Sequence, residues 1–444
     1  MSDPHGLPGV LAGVGPARHS DLNAFRQGRL RLVRLRAQVN PIGDLAKWRD
    51  AGAAEAILSL LSPLPARQPT SPERFVEVFA ADIEAFLKAG GRYLEVHDEP
   101  NRSDRGAGVT WQDGAGFAAW FHAVSHLIRG KFGDTPRVGF PALTPASSRR
   151  PDPSAAVDEG TFLEQCRDAL ELADWAALHV YWRTLEEMRG SGAGMRFLAT
   201  YLEAFPEQVF IVTEFANASL DLAPGPRGDQ YAEFVTLLAQ YDRILGASGF
   251  LLRSADPHYD PLAWIANDGT PRATIAHLGR RPELPDPRQV WFYWPTGFRA
   301  YDQLFGDHQR AHHDGFGIVG GHNGVDLAVD RDAPEASPIH AALGGTVVQV
   351  ALDQSGYGQH VRVRSYGPQG EEITLLYGHL SGIEVTTGTL VARGDVLGWA
   401  GPATHRSGPH LHFGMRVTGV DLPVTFDWLN PRPHLEARPR VLPR

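Results

Sequence analysis

The sequence predicts a chain of two domains, mixed α/β followed by all-β: an N-terminal (β/α)8 barrel of the TIM type, then a small antiparallel β-sheet domain. Three observations predict this. From Gly9 to about Asp256, short apolar runs alternate with longer amphipathic ones, the pattern of strands that are each followed by a helix. The stretch from Gly279 to Pro287 is polar and broken by three prolines, which is linker composition. From Ile339 onward, apolar or alternating runs lie between glycines, a strand-and-turn pattern. At 444 residues the chain also exceeds one ordinary domain. The expected division is 1–278 for the barrel, 279–299 for a linker and inter-domain seam, 300–434 for the β domain and 435–444 for a loose tail.

Eight strands are expected in the first part: Val10–Val14, Leu30–Leu35, Ala54–Leu60, Tyr93–Val96, Arg137–Phe140, Ala176–Tyr181, Val209–Thr213 and Phe250–Arg253. Helical segments fall between them at Ser20–Arg26, Ile42–Arg49, Glu73–Lys88, Gly114–Ile128, Thr161–Leu172, Met195–Phe205 and Gln230–Leu245. Eight such units in roughly 250 residues match a closed barrel, with a doubly wound open sheet as the alternative. The β domain opens with the aromatic run Trp291–Trp294, a core or inter-domain seam. It continues with strands at Gly345–Val350, His360–Arg364, Thr374–Tyr377 and Val391–Gly398.

Composition narrows the function. The 48 glycines and 34 prolines of 444 residues, about 18%, stay below the low-complexity range of roughly 25–30%. A net charge of −9 with three lysines, Lys47, Lys88 and Lys131, disfavours nucleic acid as a partner. It also argues against bulk charge as the means of holding an anionic wall polymer. No stretch reaches the ~18 apolar residues of a membrane span, and the N-terminus shows neither the basic nor the apolar region of a signal peptide. The lone Cys166 cannot form an internal disulfide and reads as a small buried helix residue.

The chemistry concentrates near the end of the chain. His410 and His412 are two apart, so a strand aims both to one face. His322 and Asp326 are four apart with Gly324 between them, which again favours an extended segment. His379 follows Tyr377 and Gly378. Imidazole and carboxylate hold Zn²⁺ at about 2.0–2.2 Å, and a catalytic zinc takes three protein ligands and leaves a position for water. Five such residues allow three ligands and two groups for proton transfer and oxyanion stabilisation. A rival set, His308, His312 and His313, has no carboxylate motif and reads as a solvated loop.

His322-x-x-x-Asp326, then Gly378-His379, then His410-Leu411-His412 within Gly408-Pro409-His410-Leu411-His412-Phe413 resembles the M23 family of lysostaphin-like (LytM-type) zinc endopeptidases, over about 130 residues. By that resemblance His322, Asp326 and His412 bind one Zn²⁺, while His379 and His410 are the catalytic pair. The implied substrate is the peptide part of bacterial peptidoglycan. The segment Ala403–Ser407 departs from the family's glycine-rich turn, and His405 within it is expected near the groove.

In the barrel, Glu99 follows strand four and Glu214 ends strand seven, at the face where such barrels carry their chemistry. The pairing resembles the retaining glycoside hydrolases of the large (β/α)8 clan, in which the first glutamate is acid/base and the second nucleophile. Arg34 (or Arg36), Asp98, Asn101, His179, Tyr181 and Trp182 are the implied substrate-binding residues, and Trp111 and Trp264 are further candidates for stacking on sugar. Asp98 departs from the clan's asparagine. An ionised aspartate cannot donate to a sugar hydroxyl, and its charge beside Glu99 is expected to raise carboxyl pKa values. The barrel therefore reads as a glycosidase, as a retired one that still grips glycan, or as a scaffold.

The leading expectation is a peptidoglycan hydrolase that acts outside the cell or at the wall, with a zinc endopeptidase and a barrel that binds or hydrolyses glycan. With no signal peptide visible, its route is lysis, a dedicated secretion apparatus, a phage origin or a leader missing from the sequence. Two alternatives are a non-catalytic wall-recognition or regulatory protein, and a glycoside hydrolase that uses the β domain for targeting.

Overall fold

The computed structural model describes residues 6–61, 68–145, 157–190, 193–316, 318–351, 356–401 and 408–437. The chain divides into two compact units, Met1–Arg281 and Pro282–Arg444. No helix among the described residues is long and apolar enough to cross a membrane.

The first unit is a closed barrel of eight parallel strands in sequence order, which excludes the open doubly wound sheet. They are β1 (Leu7–Leu11), β2 (Leu32–Arg36), β3 (Glu55–Leu60), β4 (Tyr93–Val96), β5 (Arg137–Phe140), β6 (Trp175–Trp182), β7 (Phe210–Asn217) and β8 (Ile244–Gly249). β6 and β7 are buried along their whole length, as strands walled by helices outside and side chains inside must be. One interior layer comprises Leu32, Ile57, Tyr93, Trp175, Ala177, Ile211 and Leu245. The helices cover the barrel with apolar stripes. In Pro72–Lys88 the buried Phe75, Val76, Phe79, Ile83 and Phe86 recur at helical spacing. Ser71 Oγ caps that helix by accepting from the Arg74 amide at 3.2 Å.

Three expected elements are corrected. The eighth strand is Ile244–Gly249, not Phe250–Arg253, and the helix read as Gln230–Leu245 is Pro224–Leu238. The physical reason is crowding. A Cβ on Gly246 would lie 2.8 Å from the Leu7 carbonyl oxygen, and one on Gly249 would lie 2.1 Å from the Trp264 ring. The closing strand is therefore built from small residues that carry little β propensity. The segment Thr161–Leu172 is two helices, Glu159–Gln165 and Arg167–Leu172, that meet at Cys166. Cys166 is fully buried, and burial pushes its thiol up to about 12, with Asp168 adding to the shift.

The second unit is all-β. A seven-stranded sheet runs in the order β16-β12-β13-β14-β18-β10-β9, and a three-stranded sheet in the order β11-β17-β15. The strands are β9 (Tyr301–Gln303), β10 (Val325–Ala328), β11 (Pro338–His340), β12 (Gly345–Ala351), β13 (His360–Tyr366), β14 (Glu372–Gly378), β15 (Leu380–Ile383), β16 (Leu390–Val391), β17 (Val396–Ala400) and β18 (His410–Val417). Within the aromatic run, Phe292 is buried and stacks on His434 at 4.8 Å. The end of the chain is less loose than expected, since Arg432–Glu436 form a short helix with Leu435 buried. Residues 438–444 lie outside the described residues.

Replacing Ile57 by alanine removes a fully buried side chain from the interior layer. The barrel should lose about 2–5 kcal/mol, read as a lower urea midpoint for its transition with an unchanged slope.

Candidate functional site

In the β unit, strand register brings the motifs together. β18 pairs antiparallel with β10 so that Asp326 faces His412 and Ala328 faces His410. On its other side β18 pairs with β14, which sets Gly378 opposite His412. His379 follows at once, in the left-handed region with φ +62°, its amide donating to the Tyr357 carbonyl at 2.8 Å. A non-glycine residue held there costs of order 1–3 kcal/mol and turns the ring toward the site. His322 lies in the loop before β10 and not on the strand itself. Its Nδ1 lies 3.1 Å from the Leu304 carbonyl, and because a carbonyl only accepts, the proton sits on Nδ1 and Nε2 offers its lone pair inward.

Three donor atoms converge. His322 Nε2 lies 3.0 Å from His412 Nδ1, and each lies 3.2 Å from Asp326 Oδ1. A tetrahedral centre with bonds of about 2.0–2.1 Å has edges of roughly 3.3 Å, so this triangle fits one face of a zinc-sized site. All three residues are buried. Burial alone would raise the Asp326 carboxyl, but His322 and His412 outweigh it and hold it well below the usual carboxylate range. Burial lowers the His412 imidazole. His410 Nε2 is 3.5 Å from Asp326 Oδ2, and its Nδ1 donates to the Gly408 carbonyl at 2.8 Å. The His379 and His410 rings meet edge to face at 4.8 Å. Burial, then His412 and His410, pushes His379 down to about 3, so it is neutral at neutral pH.

Gly324 is obligatory in this packing. A Cβ there would lie 2.7 Å from the Cε1 atom of His412 and 2.7 Å from the Phe413 carbonyl oxygen. Of His308, His312 and His313, His308 lies exposed in a turn as expected, whereas His312 does not lie in a solvated loop. Gln309–Phe316 is a helix, with the His312 ring 5.3 Å from that of His322 and Gln303 within 3.0 Å of His312 Nε2. Burial pushes His312 down to about 4, with the neighbouring His322 adding to the shift. Ala403–Ser407, with His405, lie outside the described residues.

The barrel gathers a second buried cluster. Arg34 reaches three carboxylates: Glu95 Oε2 at 2.7 Å, Glu214 Oε1 at 2.8 Å and Asp98 Oδ1 at 3.1 Å. Burial disfavours its charge, but the three anions more than offset this and its pKa is raised. The Tyr181 hydroxyl donates to Glu214. His179 Nδ1 lies 3.0 Å from Glu99 Oε1 and 3.8 Å from Glu214 Oε2, so both glutamates reach one imidazole nitrogen. Burial opposes the His179 charge, yet Glu214, Glu99 and Asp98 outweigh it and raise its pKa.

A break in register makes this meeting possible. Leu178 pairs with Val212, but His179 pairs with Glu214, because the strand slips by one residue at Thr213. Glu214 therefore lies within β7 and does not end it. On β4's exit, His97 (φ +78°) and Glu99 (φ +48°) flank Asp98 in the left-handed region and turn successive carboxylates inward.

Several expected roles change. Asp98 is not an isolated charge beside Glu99, because Arg34 pairs with it. Asn101 is a structural clamp whose amide donates to the Thr144 and Val157 carbonyls, while its Oδ1 accepts from the Thr144 amide. Trp182 is buried, stacked on Phe215 and bonded through its indole nitrogen to Gln230. Trp111 and Trp264 are buried as well, so none of the three presents a ring face to sugar. Glu95 and Arg102, which pairs with Glu99 at 3.2 Å, went unrecognised in the sequence. The inward alternation of β4 could have exposed Glu95. Glu95, Asp98 and His179 hold donor atoms within 4.8 Å of one another, but the Arg34 guanidinium already supplies a cation there.

A two-metal-ligand strand pair with a third ligand from the preceding loop, in a small antiparallel sheet, defines a metallopeptidase class of domain. Residues 320–423 match Peptidase family M23, and this part of the chain is an M23 peptidase domain. The DD-carboxypeptidase/endopeptidase Mpg of Neisseria meningitidis is 34% identical over 98 residues, 22% of this chain and 20% of that protein. This chain spans about a fifth of the length of such curated relatives. The catalytic domain of lysostaphin from Staphylococcus simulans is 25% identical, covering 31% of this chain and 92% of that one with a TM-score of 0.25. A GH128 endo-beta-1,3-glucanase from Sorangium cellulosum is 16% identical, covering 62% of this chain and 99% of that one, with a TM-score of 0.44.

Gly324→Ala should displace the His412 ring and weaken divalent-metal binding by about 10–100-fold, as loss of ligand orientation does elsewhere. Competition against a fluorescent chelator measures it.

Proposed function

We propose that the protein is a peptidoglycan hydrolase whose β unit is a zinc-dependent endopeptidase for stem-peptide or cross-bridge amide bonds, and whose barrel binds or hydrolyses the glycan. The observation that carries the first half is the triangle of His322 Nε2, Asp326 Oδ1 and His412 Nδ1, with edges of 3.0–3.2 Å, inside an M23 domain. Three converging lone pairs, buried together, fit a cation better than shared protons. Mpg is by its name a DD-carboxypeptidase/endopeptidase, and ShyC of Vibrio cholerae, 31% identical over 126 residues, is by its name a peptidoglycan DD-endopeptidase, which supports the wall as the place of action.

One zinc, when bound by these three residues, polarises a scissile carbonyl and acidifies water. The rest falls to side chains. His410 keeps its Nδ1 proton on the Gly408 carbonyl, so its Nε2 is the acceptor that takes a proton from the attacking water. His379, neutral and 4.8 Å away ring to ring, would donate a hydrogen bond to the developing oxyanion, and the proton taken up by His410 would pass to the leaving amine. Asp326 keeps its negative charge, because both neighbouring imidazoles favour it.

For the barrel, the supporting observation is that Glu99 and Glu214 both approach His179 Nδ1, at 3.0 and 3.8 Å, while Arg34 and Tyr181 orient Glu214. That arrangement suits one carboxylate as nucleophile and the other as acid/base.

His412→Ala should abolish both bound zinc and clearing on wall zymograms, and His410→Ala should keep zinc while turnover falls about 10²–10⁴-fold. Elemental analysis beside zymography, with and without chelator, reads both; clearing by a metal-free His412 variant would refute the assignment. Glu99→Gln should abolish new reducing ends from purified sacculi if the barrel hydrolyses glycan, and should leave sacculus binding in place.

A further inference from the structure

Tyr357 touches all three motifs of the metal centre, and nothing in the mechanism above uses it. Its hydroxyl accepts from Asn323 Nδ2 at 2.8 Å, and Asn323 lies between the ligands His322 and Asp326. Its carbonyl accepts from the His379 amide at 2.8 Å, which anchors the strained turn that aims the His379 ring. Its ring lies over His412 with centroids 5.0 Å apart and planes 32° apart. Behind it, Trp428 and His360 close the packing at 6.0 and 5.9 Å.

The His412 ring needs such a support. Its Nδ1 faces the other donors, while its Nε2 is buried with no hydrogen-bond partner among the described residues. A ligating histidine is ordinarily oriented by a hydrogen bond from its second nitrogen. Here packing has to do that work, with Gly324 on one side and the Tyr357 ring on the other. The Asn323 amide bond to Tyr357 ties the loop of His322 to the same side chain, so two ligands are referenced to one half-buried residue. The hydroxyl stays protonated, because burial raises its pKa despite the bond from Asn323.

We propose that Tyr357 is a positioning residue of the metal centre: its ring holds the His412 imidazole and its hydroxyl holds the loop that carries His322 and leads into the strand of Asp326. The inference rests on the metal-centre reading above. Tyr357→Phe keeps the ring and removes the acceptor for Asn323, whereas Tyr357→Leu removes the ring as well.

The test is metal affinity of the full chain, by zinc competition with a chromogenic chelator, together with the visible spectrum of the cobalt-substituted protein. Tyr357→Phe and Asn323→Ala should each weaken zinc by several-fold, and Tyr357→Leu by about 10–100-fold with an altered cobalt spectrum. Circular dichroism and thermal unfolding establish that each variant is folded. Folded variants that bind zinc within about twofold of the parent, with an unchanged cobalt spectrum, would overturn the role of Tyr357 and leave the metal centre standing. A parent chain that binds no zinc would overturn both.

Discussion

The constraint on which the β unit depends is the meeting of three lone pairs in a dry place. His322 Nε2, Asp326 Oδ1 and His412 Nδ1 lie 3.0–3.2 Å apart on three buried residues. Without a cation, the Asp326 carboxylate has only the two imidazoles to offset the cost of burying all three groups together. The surrounding sheet is arranged to hold them there. The register of β10 on β18 puts Asp326 across from His412, β14 brings His379 up behind, and Gly324 leaves the room that the His412 ring occupies.

The barrel answers the same electrostatic problem differently. Four carboxylates, Glu95, Asp98, Glu99 and Glu214, gather in a buried interior, and their charge is met by the fixed cations Arg34 and Arg102 and by His179. Burial, then the neighbouring Asp98, raises the Glu95 carboxyl, even though Arg34 opposes the shift. The network orients Glu214 through Arg34 and Tyr181, and Glu99 through His179 and Arg102. A slip of one residue between β6 and β7 joins the two halves, because it sets His179 beside Glu214. Local backbone strain at His97 and Glu99 serves the same end, as does His379 in the other unit.

Much of this was legible in the residues. Short apolar runs between amphipathic segments located seven of the eight barrel strands near their observed places, and the spacing within His322-x-x-x-Asp326 and His410-x-His412 pointed to a shared face. The misses have physical causes. Ile244–Gly249 hides as a strand because close packing demands small residues there. Trp182 and Asn101 looked like ligand-facing residues because a sequence shows that a side chain can stack or donate, and not that Gln230 or the Thr144 carbonyl already has it. Asp98 looked uncompensated because its partner, Arg34, lies two strands away.

The sequence by itself determined the chemical inventory and its local direction: which side chains can ligate or carry protons, which two share a strand face, and where the chain turns. These depend on neighbours a few residues apart. Only the tertiary structure decided which of them meet, because that depends on strand register and on contacts between residues 86 to 180 positions apart, such as Asp326 with His412 and Arg34 with Glu214. It also decided the charge each one keeps, since burial and the nearest opposite charge, not residue type, set the proton affinity of His379, Asp326 and His179.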